Sequence, residues 1–374
     1  MRRSMFLVTA AVMASGLALA GCSSSDSGTP GNNVTAVGTG KGATPKVGVI
    51  LPDTKSSARW ATADLKYLTD AFKAAGVDAD IQNAQGDKTQ FQTIADQMIT
   101  SGVNVLVIVN LDSGSGKAVL DKAKAQGIAT IDYDRLTLGG GADFYVSFDN
   151  VKVGELQGEG LQKCLTDKNK AKANIAFLNG SPTDNNATLF KEGAVKALKA
   201  KTDSGDYKVV ADQAVPDWDN QQAGTIFEQM YTDNGGKIDG VLAANDGLGN
   251  AAIAILKKNK ANGTVPVTGQ DATDQGLQNV LAGDQCMTVY KAVKKEADAA
   301  SALAIALAKG EDTKSMATGS SMDTVTKKEV PSVLLDPQAI YFDNVKDVIA
   351  DGYTTKEKVC TAALADACAK ADIK

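Results

Sequence analysis

The chain has 374 residues, which is enough for two domains of ordinary size, each with a sizeable hydrophobic core. Hydrophobic residues make up 43% of the sequence and charged residues 22%, as in globular proteins, and the formal net charge of -5 argues against a nucleic-acid-binding protein. The sequence contains no histidine, which excludes Ser/His and Cys/His nucleophile pairs and removes the commonest zinc ligand.

The first 22 residues have the pattern of a targeting segment that is not part of the fold. Arg2 and Arg3 form a basic beginning, and the apolar stretch at residues 5–20 is too short to span a bilayer comfortably. Residues 19–22 read Leu-Ala-Gly-Cys, which resembles a bacterial lipobox, and this resemblance implies cleavage before Cys22 and acylation of its thiol. The alternative is an ordinary secretory signal with a cysteine nearby.

Residues 23–45 are rich in Ser, Gly, Thr, Asn and Pro and contain almost nothing apolar to bury. This composition predicts a flexible tether between a lipid and a folded domain. Together with a lipid anchor at Cys22, it indicates an exported protein held at the outer face of a bacterial cell membrane.

From residue 46 the sequence alternates between strand-like apolar runs and helical patterns. Residues 47–51 are continuously apolar, as expected for a strand buried on both faces. Residues 91–99 carry apolar side chains at i, i+3, i+4, i+7 and i+8, which predicts an amphipathic helix that ends before Gly102. The strands predicted in this first series are residues 47–51, 77–81, 103–109, 128–132 and 144–148.

The alternation then restarts, with helical patterns at residues 187–200, 222–233 and 251–258. The strands predicted in this second series are residues 173–178, 208–211, 238–243, 265–268 and 287–290. Two successive βα series predict an α/β protein with two doubly wound, mostly parallel-sheet lobes. We expect the chain to cross between the lobes near residues 148–150, near 290–291 and near 322–325. The first lobe then comprises residues 46–148 plus about 291–325, and the second lobe residues 149–290 plus about 326–374.

Short polar signatures follow many of the predicted strands. Side chains just beyond the carboxyl ends of parallel strands converge on one crevice, so carboxylates, amides, cations and indoles would meet there. This inventory suits a sugar, whose hydroxyls donate and accept hydrogen bonds and whose C–H faces are apolar. The candidate ligand residues are Arg59, Trp60, Asp134, Arg135, Asp184, Asn186, Trp218, Asn245, Asp271 and Lys291.

Several candidates have a structural alternative. Arg59 offers a fork of donors but is also compatible with a surface position, and Trp60 also begins the apolar stripe of its helix. Asp134 and Arg135 suit adjacent hydroxyls, or form a structural ion pair. Trp218 lies in a polar loop that does not normally bury an indole, so we expect it to form a platform for a sugar ring.

Helix capping competes with ligand binding at two of the predicted helix starts. Asp184 and Asn186 lie in a turn that opens a helix, and we expect the intervening Asn185 to be structural. Asn245 offers one donor and one acceptor to a ligand, whereas Asp246 is the candidate cap of the next helix. The remaining candidates are Asp271 and Lys291. Beside Asp271, Gly269 lacks a side chain and lets the backbone approach a ligand closely. Lys291 lies at the second crossing, within reach of both lobes.

The cysteines after Cys22 are even in number, which suggests disulfides in an exported chain. Of the three possible connectivities we favour Cys164 with Cys286 and Cys360 with Cys368, but the sequence leaves the other two open. Their wide spacing lacks the paired motifs of a zinc site, and we expect no metal.

The motifs taken together resemble those of the D-xylose-binding proteins, which are substrate-binding components of ABC sugar importers in the periplasmic-binding-protein type I class. The resemblance covers roughly residues 46–345, and the signal, the tether and the two-cysteine tail lie outside it. The motifs that carry it are Leu51-Pro52-Asp53, Ser57-Ala58-Arg59-Trp60, Tyr133-Asp134-Arg135, Ser147-Phe148-Asp149-Asn150, Gly180-Ser181-Pro182, Asp184-Asn185-Asn186-Ala187, Gly269-Gln270-Asp271 and Val289-Tyr290-Lys291.

This resemblance implies a monomer that captures a monosaccharide between two hinged lobes and delivers it to an ABC permease, without catalysis, cofactor or nucleic acid. Alternatives within the class are binding of glucose, galactose or arabinose and a role in multi-sugar chemoreception, although residues 213–220 look more like the xylose binders. A secreted glycosidase using Asp134 and Asp271 is a remote alternative, because Arg135 would lower the pKa of its neighbour and the pattern is not a barrel. A sugar-responsive transcription regulator conflicts with the lipobox and with the absence of a basic DNA-binding domain.

Overall fold

The computed structural model describes residues 44–374, so the predicted signal, Cys22 and nearly all of the predicted tether lie outside the described residues. Three sheets organise the described part of the chain, with seven, three and two strands. The strands are β1 (Lys46–Leu51), β2 (Asp78–Asn83), β3 (Val105–Ile108), β4 (Ala129–Tyr133), β5 (Phe144–Phe148), β6 (Ala173–Asn179), β7 (Tyr207–Ala214), β8 (Gly240–Ala243), β9 (Thr288–Tyr290), β10 (Gly319–Asp323), β11 (Lys328–Leu335) and β12 (Gln338–Ile340).

Helices follow most of these strands. A π-helical turn at Trp60–Asp64 leads into the first helix, and short 3₁₀ turns lie at Pro216–Trp218, Phe342–Asn344 and Ala362–Leu364. The α-helices are α1 (Leu65–Ala74), α2 (Lys88–Thr100), α3 (Ser113–Ala125), α4 (Asn150–Asp167), α5 (Asn185–Asp203), α6 (Asn220–Asp233), α7 (Asp246–Lys258), α8 (Asp274–Ala282), α9 (Val293–Lys309), α10 (Val345–Ala350), α11 (Lys356–Val359) and α12 (Ala365–Lys370).

The first lobe is built on the seven-stranded sheet, in the order β10-β11-β5-β4-β3-β1-β2. All pairs in it are parallel except β10 with β11. Every residue of β3 is buried, as the continuous apolar run predicts for a strand covered on both faces. One hydrophobic core includes residues of α1 and α9, and another includes residues of α2 and α3.

The second lobe is built on the parallel sheet β7-β6-β8. Two of its helices, α4 and α5, pack at close range because glycines remove side chains from their contact. A Cβ at Gly154 would lie 1.9 Å from the carbonyl oxygen of Phe190, and one at Gly193 would lie 2.0 Å from that of Val151. The close packing of α4 and α5 thus fixes the position of the start of α5, where Asp184 and Asn186 lie.

Residues 265–268 do not form the strand that the sequence predicts. Their only ladder contact is a single bridge between Val267 and Val241 of β8. Pro266 has no N–H to donate, so it cannot continue a regular ladder, although its carbonyl accepts the N–H of Val241.

The third crossing between the lobes lies later than the sequence predicts, so the boundary at residues 325 and 326 is wrong. Instead of leaving the first lobe near residues 322–325, the chain makes the β10–β11 hairpin, and β11 pairs with β5 as far as Leu335. The polar segment interpreted as a crossing is the hairpin turn. The Asp323 carboxylate closes it by accepting the N–H groups of Val325 and Thr326. The lobes are therefore linked between β5 and α4, between β9 and α9, and between β11 and β12.

The C-terminal tail packs on the second lobe. Strand β12 pairs antiparallel with β9, and helices α10 to α12 share a hydrophobic core with residues of α8. The four cysteines within residues 44–374 are bonded as Cys164–Cys286 and Cys360–Cys368. Over the same residues no helix is long and apolar enough to cross a membrane, and no cluster of acidic or cysteine side chains could hold a metal ion.

Candidate ligand-binding site

All ten candidate residues line one cavity between the two lobes, which leaves about 310 Å³ unoccupied by protein atoms, part of it open to solvent. The first lobe contributes four of them, the second lobe five, and Lys291 lies on the crossing after β9. Four further lining residues were not among the candidates, namely Ser56, Ser57, Phe190 and Gln270.

Arg59 is fixed in the wall of the cavity by carboxylates. It donates from Nε and Nη2 to both oxygens of Asp64, at 2.8 and 2.7 Å, and from Nη1 to Asp134 Oδ2 at 2.9 Å. Its Nη2 also donates to Glu296 Oε2. Burial alone would lower the pKa of Arg59, but the Asp64 and Glu296 charges raise it well above its usual range. The guanidinium is therefore a permanent, oriented donor.

Asp134 lies just after β4 in a left-handed conformation, with φ of 61°. Its backbone carbonyl accepts hydrogen bonds from Ser147 Oγ at 2.8 Å, Tyr145 Oη at 3.0 Å and Asn186 Nδ2 at 2.8 Å. These bonds hold the turn and aim the carboxylate at the cavity. Burial would raise the pKa of Asp134, but Lys291 and Arg59 outweigh it, and the pKa is lowered.

Lys291 lies between one carboxylate of each lobe. Its Nζ is 3.5 Å from Asp134 Oδ2 in the first lobe and 3.4 Å from Asp271 Oδ1 in the second. Burial would lower the pKa of Lys291, but these two carboxylates raise it, so the ammonium keeps its charge at neutral pH. Lys291 thus lies within ion-pair distance of a carboxylate in each lobe, as expected from its position at the second crossing.

Asp184 combines the capping role and the cavity position that the sequence left in competition. Its Oδ1 accepts the N–H of Asn186 at 2.9 Å, which caps α5. Its Oδ2 accepts Trp218 Nε1 at 3.1 Å and lies 3.1 Å from Arg135 Nε. Burial raises the pKa of Asp184 despite the Arg135 charge. One carboxylate therefore orients an indole, a guanidinium and the start of a helix.

The two indoles are both buried in the walls of the cavity. The Arg59 guanidinium lies 4.5 Å from the centroid of the Trp60 ring, and Trp60 Nε1 donates to Ser56 Oγ at 3.1 Å. Trp218 packs edge-on against Phe190, with ring centroids 6.4 Å apart. Its ring also lies directly on Gly180, where a Cβ would be 2.0 Å from Trp218 Cη2.

Asn245, not Asp246, caps α7, because its Oδ1 accepts the N–H of Leu248 at 2.9 Å. The expectation that Asp246 caps this helix is wrong: Asp246 is the first helical residue and its side chain turns into the protein. There it accepts hydrogen bonds from Thr273, Gln285 and Thr288 beneath the segment that carries Asp271. Burial raises the pKa of Asp246 to about 7, in spite of these donors.

The two lobes touch each other directly around the cavity. Asn245 Nδ2 donates to the carbonyl of Ser56 at 3.1 Å, and Ser57 Oγ donates to Asp271 Oδ2 at 2.9 Å. The contacts of Asp134 with Asn186 and of Arg135 with Asp184 also join the lobes. The structure is therefore a closed arrangement in which side chains far apart in sequence surround one space.

Some buried acceptors in the cavity wall have no hydrogen-bond donor within the described residues. One is Gln270 Oε1, and a second, Asp271 Oδ1, has only the ion pair with Lys291 Nζ at 3.4 Å. A buried acceptor left unpaired costs about 1–3 kcal/mol, so the site is suited to a ligand that brings O–H donors.

Comparison with known proteins places this architecture in a family. Residues 47–312 match the family described as periplasmic binding protein domain. The chain belongs to this family. It is 37% identical over 309 residues to the D-xylose-binding periplasmic protein of Escherichia coli (strain K12), a match that covers 82% of this chain and 90% of that protein. It is also 36% identical over 315 residues to the D-xylose-binding periplasmic protein of Haemophilus influenzae, covering 84% and 92%.

A solved structure of a family member shares the fold. It is a carbohydrate transporter solute-binding protein from Chloroflexus aurantiacus in complex with D-glucose, with a TM-score of 0.75 and 27% sequence identity. The match covers 84% of this chain and 98% of that one. The prediction of two α/β lobes of the periplasmic-binding-protein class is confirmed.

Partial signals for three of the four unpredicted lining residues are present in the sequence. Ser57 lies two residues before Arg59 and Gln270 directly before Asp271, each within a motif, and Phe190 lies four residues after Asn186, on the same face of α5. Asp64 and Glu296, which hold Arg59, gave no comparable signal. Asp64 is five residues from its partner but Glu296 is 237 residues from it, and only the fold brings these two together.

Proposed function

We propose that this chain captures a monosaccharide, foremost D-xylose, in the cavity between its lobes and delivers it unchanged to an ABC importer. The observation that carries the proposal is the convergence of ten predicted polar and aromatic residues from both lobes on one cavity. The wall combines hydrogen-bond donors and acceptors with two indoles, which is what a polyol with apolar C–H faces requires.

The charges of the cavity wall favour a neutral ligand. The cations Arg59, Arg135 and Lys291 are matched by carboxylates, and those in the wall are Asp134, Asp184 and Asp271. Because these groups are buried and paired with each other, a sugar phosphate or sugar acid would bring an unpaired charge into the cavity at high cost. A neutral sugar only exchanges hydrogen bonds with them.

Capture follows from hinge closure. When the lobes part, water solvates the polar walls, and a sugar that replaces this water with bonds to both walls favours the closed form by its differential affinity. Since each buried group left unpaired costs about 1–3 kcal/mol, a sugar that lacks one of the expected hydroxyls binds more weakly. Asp134, one of the two carboxylates considered for glycoside hydrolysis, has a lowered pKa and is therefore not suited to act as the general acid of that reaction.

Two relatives named as D-xylose-binding proteins support D-xylose, whereas the Chloroflexus aurantiacus structure holds D-glucose. Calorimetric titration with D-xylose, D-glucose, D-galactose, L-arabinose and D-ribose tests the choice. We expect the tightest binding with D-xylose. Binding of another of these sugars with no response to D-xylose would contradict the assignment, and a response to none would contradict sugar capture itself.

We further propose that the mature chain begins at Cys22, is acylated there, and acts as a monomer at the outer face of the cell membrane. The support is the lipobox-like sequence followed by the polar tether. A Cys22→Ser variant expressed with its own leader tests the anchor, because it should appear in the detergent-free soluble fraction while the unaltered chain stays with the membranes. Equal partition of the two would contradict acylation at this residue.

A further inference from the structure

Two buried carboxyl groups lie behind the cavity and do not line it. Asp64 and Glu296 both contact Arg59, and each has an exposed fraction of 0%. Asp64 lies in the π-helical turn before α1, and Glu296 lies in the first turn of α9. The two elements meet only through tertiary packing, so the contact to Arg59 is a product of the fold.

The hydrogen bonds of Arg59 can be counted atom by atom. Its guanidinium has five N–H groups. Asp64 accepts from Nε and from Nη2, Glu296 accepts from Nη2, and Asp134 accepts from Nη1. Four of the five N–H groups are therefore used by carboxylates. One N–H on Nη1, the nitrogen bound to the cavity-lining Asp134, is left for a ligand.

Glu296 is bound by one oxygen only. Its Oε2 accepts from Arg59, whereas its Oε1 is buried without a hydrogen-bond partner among the described residues. Asp64, by contrast, accepts from Arg59 through both oxygens and also from Tyr133 Oη at 2.7 Å. Glu296 therefore holds Nη2 from α9, as a third contact on the guanidinium beside those of Asp64 and Asp134.

We propose that Glu296 is a positioning residue for ligand affinity, which holds the Arg59 guanidinium so that its last N–H points into the cavity. The inference rests on the proposed sugar capture. A donor that is already oriented loses little conformational freedom when the ligand arrives, so its hydrogen bond is worth more. Glu296 acts only through Arg59 and does not touch the sugar.

A double-mutant cycle read by calorimetric titration with D-xylose tests this role. Glu296→Ala should weaken binding about tenfold or more, since the guanidinium gains freedom. Glu296→Gln should recover most of the loss, because an amide oxygen can replace Oε2 as acceptor. In an Arg59→Lys background, Glu296→Ala should cause no further loss. Equal affinities of Glu296→Ala and the unaltered chain, or additive losses in the cycle, would overturn the proposal.

The matched control lies on the same helix. Asp298 of α9 pairs at the surface with Lys294, and its side chain is 49% exposed. Asp298→Ala removes a carboxylate from α9 without touching Arg59, so D-xylose affinity should stay unchanged. A loss as large as that of Glu296→Ala would mean that α9 acts by general destabilisation, which would overturn the positioning role.

A crystal structure of the Glu296→Gln and Glu296→Ala variants gives a readout that needs no sugar. The Arg59 guanidinium should keep its place against Asp134 in the first variant and leave it in the second. If Glu296→Ala fails to fold, Glu296→Leu, which fills more of the vacated space, replaces it. An unmoved guanidinium without the carboxylate overturns the positioning role, whereas failure of all five sugars to bind the unaltered chain contradicts only the proposed function.

Discussion

At the scale of single residues, the position of Trp218 depends on what surrounds it. Asp217 and Trp218 are consecutive non-glycine residues with positive φ, 53° and 55°, a conformation that costs energy and is held by the surrounding structure. The indole nitrogen is fixed by Asp184, and the ring lies on Gly180. The position of the Trp218 ring therefore depends on Gly180, which follows β6, and on the Asp184 carboxylate at the start of α5.

Replacing Gly180 tests this arrangement. In Gly180→Ala the new Cβ would lie 2.0 Å from Trp218 Cη2, so the ring must move. We expect D-xylose affinity to fall about tenfold or more, measured by calorimetric titration, with a change in tryptophan fluorescence. Gly224→Ala is the control, because Gly224 lies within α6 and its Cβ would meet nothing within 4 Å. Unchanged affinity and fluorescence in Gly180→Ala would refute the role given to Trp218.

The stability of the protein should depend on pH through Glu296. Burial raises the pKa of Glu296 to about 8 from its ordinary value of 4.5, in spite of the Arg59 charge. The folded state therefore holds a proton that the unfolded state releases above the ordinary value, and the free energy of unfolding falls as pH rises between about 4.5 and 8. The stabilisation linked to the Glu296 proton is fully present below pH 4.5, the ordinary pKa of a glutamate, and is lost as the pH rises through about 8.

Thermal unfolding at pH 5, 6, 7 and 8 measures this dependence. The melting temperature should fall less steeply with pH in Glu296→Gln than in the unaltered chain, because the amide does not titrate. Asp132 and Asp246, each with a pKa raised to about 7 by burial, remain in both proteins and contribute to the residual slope. Parallel curves for the two proteins would show that Glu296 does not titrate in this range.

At the scale of elements, the sequence predicted best those strands that are buried on both faces of the sheet. Strands β1 and β3 lie where the sequence has continuous apolar runs. The β10–β11 hairpin was missed because it lies at the sheet edge, where its exposed faces carry polar residues. All ten candidate residues line the cavity, because the ends of the strands are set by local sequence. The cap of α7 was assigned to Asp246 instead of Asn245, because a shift of one residue decides which side chain caps the helix.

The two disulfides should differ in their effect on stability. Cys164–Cys286 connects residues 122 apart and Cys360–Cys368 residues only 8 apart, so the first restricts the unfolded chain far more. Replacing Cys164 and Cys286 by alanine should lower the free energy of unfolding by ~2–4 kcal/mol, and replacing Cys360 and Cys368 by less.

Denaturant unfolding measures both losses, and titration with D-xylose supplies the control. None of these cysteines lines the cavity, so sugar affinity should stay unchanged in both double variants. A larger stability loss from the short loop than from the long one would contradict the chain-entropy argument.

At the scale of the whole molecule, two lobes that cross three times bring a balanced set of charges to one cavity. From the sequence, the candidate residues can be grouped into one site only by the family resemblance and by their positions after predicted strands. The sequence does not reveal the contacts that hold them, such as Glu296 with Arg59 or Asn245 with Ser56, because these join segments 237 and 189 residues apart. Such pairs are decided by how the lobes fold and close.

A crystal structure of the protein grown with D-xylose shows whether both lobes bind the sugar. We expect one pyranose in the cavity, hydrogen-bonded to Arg59 or Asp134 on one side and to Asn245 or Asp271 on the other, with Trp218 against a C–H face. A sugar bound to one lobe alone, or at a surface away from these residues, would contradict it.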